Sequence, residues 1–372
     1  MRQFGNTGRG GGVALSPRMR RLFRRRTIHL LSAILVSLCA FLLADLVSVP
    51  EPVPASDRPS HHQARGFRNL DPHYAYSITS RIGHVVGRPP APDRGRPLQL
   101  VTNDGTELRR PLPAPVLTWV GHSTFLVQIE GVNVLTDPHW GSRTSPVSFL
   151  GPRRLVPPGV RLEDLPSIHA VVISHDHYDH LDRQTVTRLA RDHRPTFLVP
   201  LGLKAWFHDA GIDNVIELDW WQSARVGGVT ITCTPAQHSS GRAVTLTDQN
   251  RRLWSSWVVA SPRRRFYFAG DTGYFGGFVE IGRRLGPFDV AALPIGGYSD
   301  YRDHHPNHVS PEESVRAFQD LGARLLVPMH WGTFELNREA YREPPDRLLR
   351  EAQRQGLEES VAVLSPGQTI RW

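Results

Sequence analysis

The run Ser174-His175-Asp176-His177-Tyr178-Asp179-His180-Leu181-Asp182 constrains this chain more than any other stretch. It follows the apolar residues Ala170 to Ile173, so it reads as a ligand-bearing loop at the end of a buried strand. Imidazole nitrogen and carboxylate oxygen suit zinc and similar divalent metals. His175 and His177 lie two apart and can share one metal, while Asp179 and His180 follow the turn and can reach a second. The structural alternative is a polar loop whose histidines only cap the next helix. Three further residues complete a ligand set: His238 in TPAQHSSG, Asp271 in FYFAGDTGY and His330 in LLVPMHWGT. Each also follows a short hydrophobic run, and open sheets gather their ligands at strand ends.

The surrounding pattern is one of short strands and helices from Val116 to the C-terminus, without a fixed-period repeat. Strands are expected over Val116–Val120, Phe125–Ile129, Val132–Thr136, Thr196–Val199, Val229–Cys233, Trp254–Ala260, Arg265–Ala269, Val290–Pro294, Leu325–Pro328 and Val361–Leu364. Helices are expected over 183–191, 203–210, 278–285, 311–321 and 345–355, the fourth announced by Ser310-Pro311 and an acidic first turn. Of the two cysteines, Cys39 lies in an N-terminal apolar stretch and Cys233 in an expected strand, so neither a disulfide framework nor a metal spacing is present.

The N-terminus is a separate object. Residues 1–27 form a basic, polar tail that includes RMRRLFRRR, and 28–49 carry an apolar run interrupted at Asp45. Basic residues before an apolar core are the layout of a signal peptide or signal anchor, which puts the tail in the cytoplasm and the rest outside it. Arg20-Arg21-Leu22-Phe23 also resembles a twin-arginine export signal. A Pro-rich linker over 50–68 would then lead to a catalytic domain over 69–372. The formal net charge of +9 owes six positives to Arg18–Arg26, so it speaks for membrane topology and not for a nucleic-acid partner. Arg263-Arg264-Arg265 reads as a solvated turn between strands.

With these residues in view, the chain resembles the metallo-β-lactamase superfamily, and within it the N-acylphosphatidylethanolamine-hydrolysing phospholipase D family. The resemblance is carried by TWVGHST (118–124), LTDPHWGSRTSP (135–146), ISHDHYDHLD (173–182), VPLGLKAWF (199–207), NVIELDWW (214–221), FAGDTGY (268–274), GPFDVAALPIG (286–296) and MHWGTFEL (329–336). It implies an α+β four-layer αββα sandwich and two zinc ions per chain. His175, His177 and His238 would hold one zinc, Asp179, His180 and His330 the other, and Asp271 would bridge them. The resemblance further implies attack on phosphorus by a hydroxide between the metals, with Asp179, Asp271 and His308 as the catalytic residues. His308 would orient the phosphate or protonate the leaving oxygen. Asp137 and His122 are candidate supports of the ligands. Trp220, Trp221 and Asn307 are candidate substrate contacts, with core packing as the alternative for the tryptophans. The expected substrate is a phospholipid, and the expected setting is membrane-associated on the extracytoplasmic side. The polar run Tyr298–His308 departs from the apolar segment of the lipid enzymes and keeps a soluble ester or sugar-phosphate lactone open as substrate. A non-catalytic, metal-stabilised binding protein is the third alternative.

Overall fold

A computed structural model describes residues 59–71, 74, 98–243, 245–298, 306–336 and 339–372. The expected tail, the expected anchor over 28–49 and most of the polar run 298–308 lie outside the described residues. Among the described residues no helix is long and apolar enough to cross a membrane.

Two mixed sheets form the centre. The first has seven strands: β3 (Val116–Gly121), β4 (Thr124–Ile129), β5 (Val132–Thr136), β6 (Ala170–Val172), β7 (Thr196–Pro200), β8 (Val215–Leu218) and β15 (Thr369–Arg371), in the order β15-β3-β4-β5-β6-β7-β8. The second has six: β9 (Ser223–Val226), β10 (Val229–Thr234), β11 (Ser256–Ala260), β12 (Arg265–Phe268), β13 (Phe288–Pro294) and β14 (Ala323–Met329), paired in chain order. In each sheet the neighbours β3-β4-β5 and β9 to β12 are antiparallel, whereas β5 to β8 and β12 to β14 are parallel. A short N-terminal hairpin, β1 (His62–Gln63) with β2 (Gly66–Phe67), stands apart from both.

Period-two alternation sends side chains to opposite faces of a strand. Phe125, Val127 and Ile129 of β4 therefore enter the core shared with the second sheet, and Leu126 enters the outer one. Ala170 and Val172 of β6 separate from Val171 and Ile173 in the same way. The outer core closes under α1 (Arg183–Asp192) and α2 (Lys204–Asp209) through Val186, Leu189, Trp206 and Phe207. On the far side α3 (Gly277–Leu285), α4 (Pro311–Asp320) and α5 (Glu343–Arg354) contribute Phe278, Ile281, Val315, Phe318 and Leu348. The result is the expected αββα order, an α+β fold. The start signal at Ser310 works as read, since Ser310 with Glu313 forms a reciprocal capping box on α4; Asp182 caps α1 by accepting from Gln184 N.

Two expectations need correction. The apolar run Val361–Leu364 is no strand; only Val361 makes an isolated bridge, to Leu326, and the closing strand is β15, on the free side of β3. The linker expected over 50–68 is folded structure from residue 59, because His61 and Phe67 bury against the domain. Cys233 lies in β10, in the strand expected over Val229–Cys233, and is buried in the core.

Candidate metal centre

Both sheets deliver residues to one place. The loop after β6 carries His175, His177, Asp179 and His180; the loops after β10, β12 and β14 carry His238, Asp271 and His330. The β3–β4 turn adds His122. His122, Asp137 and His330 have φ of 53°, 33° and 61°, left-handed for residues with a Cβ. Such backbone costs about 1–2 kcal/mol per residue and persists where surrounding structure dictates it.

The side chains form two groups. In the first, His177 Nδ1 lies 2.9 Å from His175 Nε2 and 3.2 Å from His238 Nε2. His238 Nδ1 donates to the Asn307 carbonyl at 3.1 Å, and His175 Nδ1 faces Ser174 Oγ at 2.9 Å. Ser174 Oγ in turn donates to Asp137 Oδ2, so His175 Nδ1 is the donor in its pair. Both Nε2 atoms therefore present lone pairs, and one proton on His177 could satisfy only one of them. In the second group, Asp179 Oδ2 is 2.9 Å from His122 Nε2, 3.2 Å from His180 Nε2 and 3.3 Å from His330 Nε2. Asp271 stands between the groups. Its Oδ2 is 3.2 Å from His180, 3.1 Å from His330 and 3.8 Å from both His238 and His308.

Charge sets His180 and His330 apart from the other buried histidines. Burial dominates at His175, His122 and His238 and pulls the imidazoles down: well below the usual range, to about 3 and to about 4 respectively. Burial pulls on His180 and His330 as well, but the Asp271 and Asp179 carboxylates outweigh it. They raise His180 well above its usual range and His330 to about 9. Burial would raise Asp271 and Asp179, yet the histidines hold both well below the ordinary carboxylate range. His175 and His238 of the first group and His122 of the second favour the neutral form, whereas His180 and His330 strongly favour positive charge.

Asp137 is hydrogen-bonded to both groups. It is fully buried, accepts from His180 Nδ1 at 2.7 Å, and reaches His175 through Ser174. Histidine ligands are commonly oriented by such a carboxylate at the far nitrogen. His122 is buried and bonded to Asp179, in keeping with a supporting role, although its Nε2 is as close to that carboxylate as the ligand candidates. His308 is buried with its ring 5.3 Å from those of both His238 and His330. Gly297, at φ 90°, packs on that ring; a Cβ there would lie 3.0 Å from the imidazole.

Three expected substrate contacts are placed otherwise. Trp220 is buried, stacks on His61 with centroids 4.1 Å apart, and donates its indole N–H to Trp254 O. Trp221 lies under the Arg284 guanidinium at 4.2 Å. Asn307 is buried, accepts from Tyr74 and holds His238 through its carbonyl. Each of the three has packing or supporting contacts.

Sequence reasoning missed a buried ion-pair network under the centre. Asp176, between two ligand candidates, accepts from Arg252 at 2.9 Å and Gly241 N at 2.7 Å. Arg252 also holds Asp248 at 3.0 Å, and Arg242 donates to the carbonyls of Asp176 and Leu181 at 2.7 and 2.9 Å. The network ties the HDHYDH loop to the His238 loop. Burying an arginine at 1% exposure needs such partners, since an unpaired buried charge costs about 3–5 kcal/mol.

The donor set fits divalent metals. Lone pairs converge in the first group, and Asp271 Oδ1 is buried with no hydrogen-bond partner among the described residues. The comparisons agree. Residues 132–331 match the family model for a beta-lactamase superfamily domain. The chain is 42% identical over 347 residues to an uncharacterized protein of Mycobacterium tuberculosis, covering 89% of this chain and 88% of that protein. It is 46% identical over 243 residues to N-acyl-phosphatidylethanolamine-hydrolyzing phospholipase D 1 of Caenorhabditis elegans, covering 62% of this chain and 68% of that protein. Among solved structures, Igni18, a metallo hydrolase from the archaeon Ignicoccus hospitalis, aligns with a TM-score of 0.55 and 26% identity over 70% of this chain and 98% of that chain. The chain is a metal-dependent hydrolase of the metallo-β-lactamase superfamily and belongs close to the N-acyl-phosphatidylethanolamine-hydrolysing phospholipase D family.

Proposed function

We propose that this enzyme is a phospholipase D-type phosphodiesterase that uses two zinc ions to hydrolyse N-acylphosphatidylethanolamine or a related glycerophospholipid. The observation that carries the reading is Asp271 Oδ2, set between a neutral three-histidine group and an Asp179-centred group. His175, His177 and His238 would hold one ion, Asp179, His180 and His330 the other, with Asp271 shared. Bound zinc supplies Lewis acidity and lowers the pKa of a water to about 7. His308, 3.8 Å from the shared carboxylate, would orient the phosphate or protonate the leaving alcohol oxygen. In the reaction a water oxygen bonds to phosphorus, the bond from phosphorus to the N-acylethanolamine oxygen breaks, and phosphatidate remains.

A lipid surface as the source of substrate is favoured by Phe149 and Leu150, 69% and 58% exposed in the middle of the loop of basic and proline residues from Arg143 to Pro158. The base of that loop bonds to Thr333 and Glu335, beside Phe334, which packs edge-on to His122. Residues 18–49 supply the companion proposal, a membrane segment that leaves the domain on the extracytoplasmic side.

The test is zinc-loaded full-length enzyme with N-acylphosphatidylethanolamine in mixed micelles, beside a His175→Ala/Asp271→Ala double variant, with products identified by mass spectrometry. Phosphatidate and N-acylethanolamine from the wild type alone are expected. A zinc-loaded enzyme that leaves this lipid intact but cleaves soluble esters or sugar-phosphate lactones would replace the lipid reading. The polar run Tyr298–His308 favours that second reading.

A further inference from the structure

We infer that Asn69 is a positioning residue of the metal centre: from the segment that follows the N-terminal hairpin, its amide fixes the backbone of His238. The inference rests on reading His175, His177 and His238 as the ligands of one metal.

The hairpin first has to be held in place, and two contacts do so. On one side Phe67 N donates to Asn250 O at 2.8 Å, and Gly66, at φ 98°, allows that approach; a Cβ on Gly66 would lie 2.0 Å from Asn250 O. On the other side His61 Nε2 and His62 Nε2 take the two oxygens of Asp219 at 2.7 and 2.8 Å. Thus anchored, the chain carries Asn69, 7% exposed, to the loop after β10.

There the amide engages both backbone groups of a single residue. Asn69 Oδ1 accepts from His238 N at 3.0 Å, and Asn69 Nδ2 donates to His238 O at 2.7 Å. Trp254 Nε1 donates to the same Oδ1 at 3.0 Å. Two N–H donors on one oxygen set the amide orientation, since a flipped amide would turn its NH2 toward both. His238 lies beyond the end of β10, outside the ladder, so this side chain supplies the paired hydrogen bonds that a neighbouring strand would otherwise give. A second contact runs from the same segment. Tyr74 OH donates to Asn307 Oδ1, and the Asn307 carbonyl takes the Nδ1 proton of His238, which leaves Nε2 for a metal. The N-terminal segment therefore constrains this ligand at its backbone and, through Asn307, at its ring.

Groups that orient a ligand typically contribute about 10–100-fold to metal affinity. The experiment titrates zinc into metal-free full-length wild type, Asn69→Ala and Asn69→Asp against a chromophoric chelator, with bound metal counted by mass spectrometry and unfolding followed in parallel. Asn69→Ala is expected to weaken one of the two bound zinc ions by about 10–100-fold and to leave the other at its wild-type affinity. Asn69→Asp keeps the acceptor and loses the donor, so it is expected to fall between, and it serves if the alanine variant does not fold. A purely structural clasp would lower the unfolding temperature and leave both affinities unchanged; that result overturns the inference, as does equal weakening at both sites. Wild type that binds no zinc overturns the metal-centre reading itself.

Discussion

Two clusters in this molecule use the same residue types to opposite ends. In the centre, four histidine nitrogens lie within 3.8 Å of one oxygen of Asp271, and three lie within 3.3 Å of one oxygen of Asp179. Under the hairpin, His61 and His62 divide the two oxygens of Asp219, and Trp220 N adds a third donor at 2.8 Å. Every contact at Asp219 pairs an N–H with a carboxylate lone pair, so the cluster is complete without a cation. In the centre the Nε2 lone pairs of His175 and His238 both face His177 Nδ1, where one proton can satisfy only one of them, and Asp271 Oδ1 is buried with no hydrogen-bond partner among the described residues. Residue type therefore does not identify a metal site; the number of ligands crowding onto one atom does.

The largest effect should come from removing the shared carboxylate. Asp271→Ala is expected to lower kcat by at least about a thousandfold, since several kcal/mol of charge stabilisation go with the metals and each 1.36 kcal/mol is tenfold. Steady-state kinetics with a metal count on the same sample checks this. Asp137→Ala comes next. It unseats His180 directly and His175 through Ser174, so both sites should weaken by about 10–100-fold in a chelator competition. Acidification should separate the two groups. His330, raised to about 9, and His180, raised well above its usual range, hold protons that a metal must displace as pH falls through neutrality. His175 and His238, pulled down by burial, stay neutral in that range. Affinity at the Asp179 group should fall by about tenfold per pH unit for each proton displaced there, more steeply than at the group that holds His175 and His238. Cobalt substitution followed by absorbance from pH 8 to 6 would resolve the two steps. The smallest effect is expected at the other cluster. Asp219→Ala leaves two histidines without their acceptor and should cost about 1–3 kcal/mol, a few degrees in Tm, with two metals still bound at saturating zinc.

The contrast also explains what could be read in the sequence. His175, His177, Asp179 and His180 sit in one loop, and His238, Asp271 and His330 each follow an apolar strand, so local pattern was enough to nominate them. Most strands of both sheets were legible for the same reason, as short local apolar runs, whereas β9 and β15 carry no such run. Asn69 meets His238 across 169 positions, and His61 meets Asp219 across 158, and no periodicity links such partners. Arg252 and Asp176 were hidden likewise, because a buried arginine looks like a surface one until its partners are known. The tryptophans misled for a physical reason. A large ring after a strand can line a site or fill a core, and here Trp220 fills the gap beneath a hairpin that had been read as linker. The Val361–Leu364 run misled because consecutive apolar residues mark packing against the core, and packing does not require ladder pairing.

The most direct test is the zinc content of purified full-length protein, measured for wild type, Asp271→Ala and a His61→Ala/His62→Ala variant at equal, saturating zinc. The account predicts two ions per chain in wild type and in the double-histidine variant, and fewer than two in Asp271→Ala. Loss of an ion from the double-histidine variant, or full occupancy in Asp271→Ala, would contradict it.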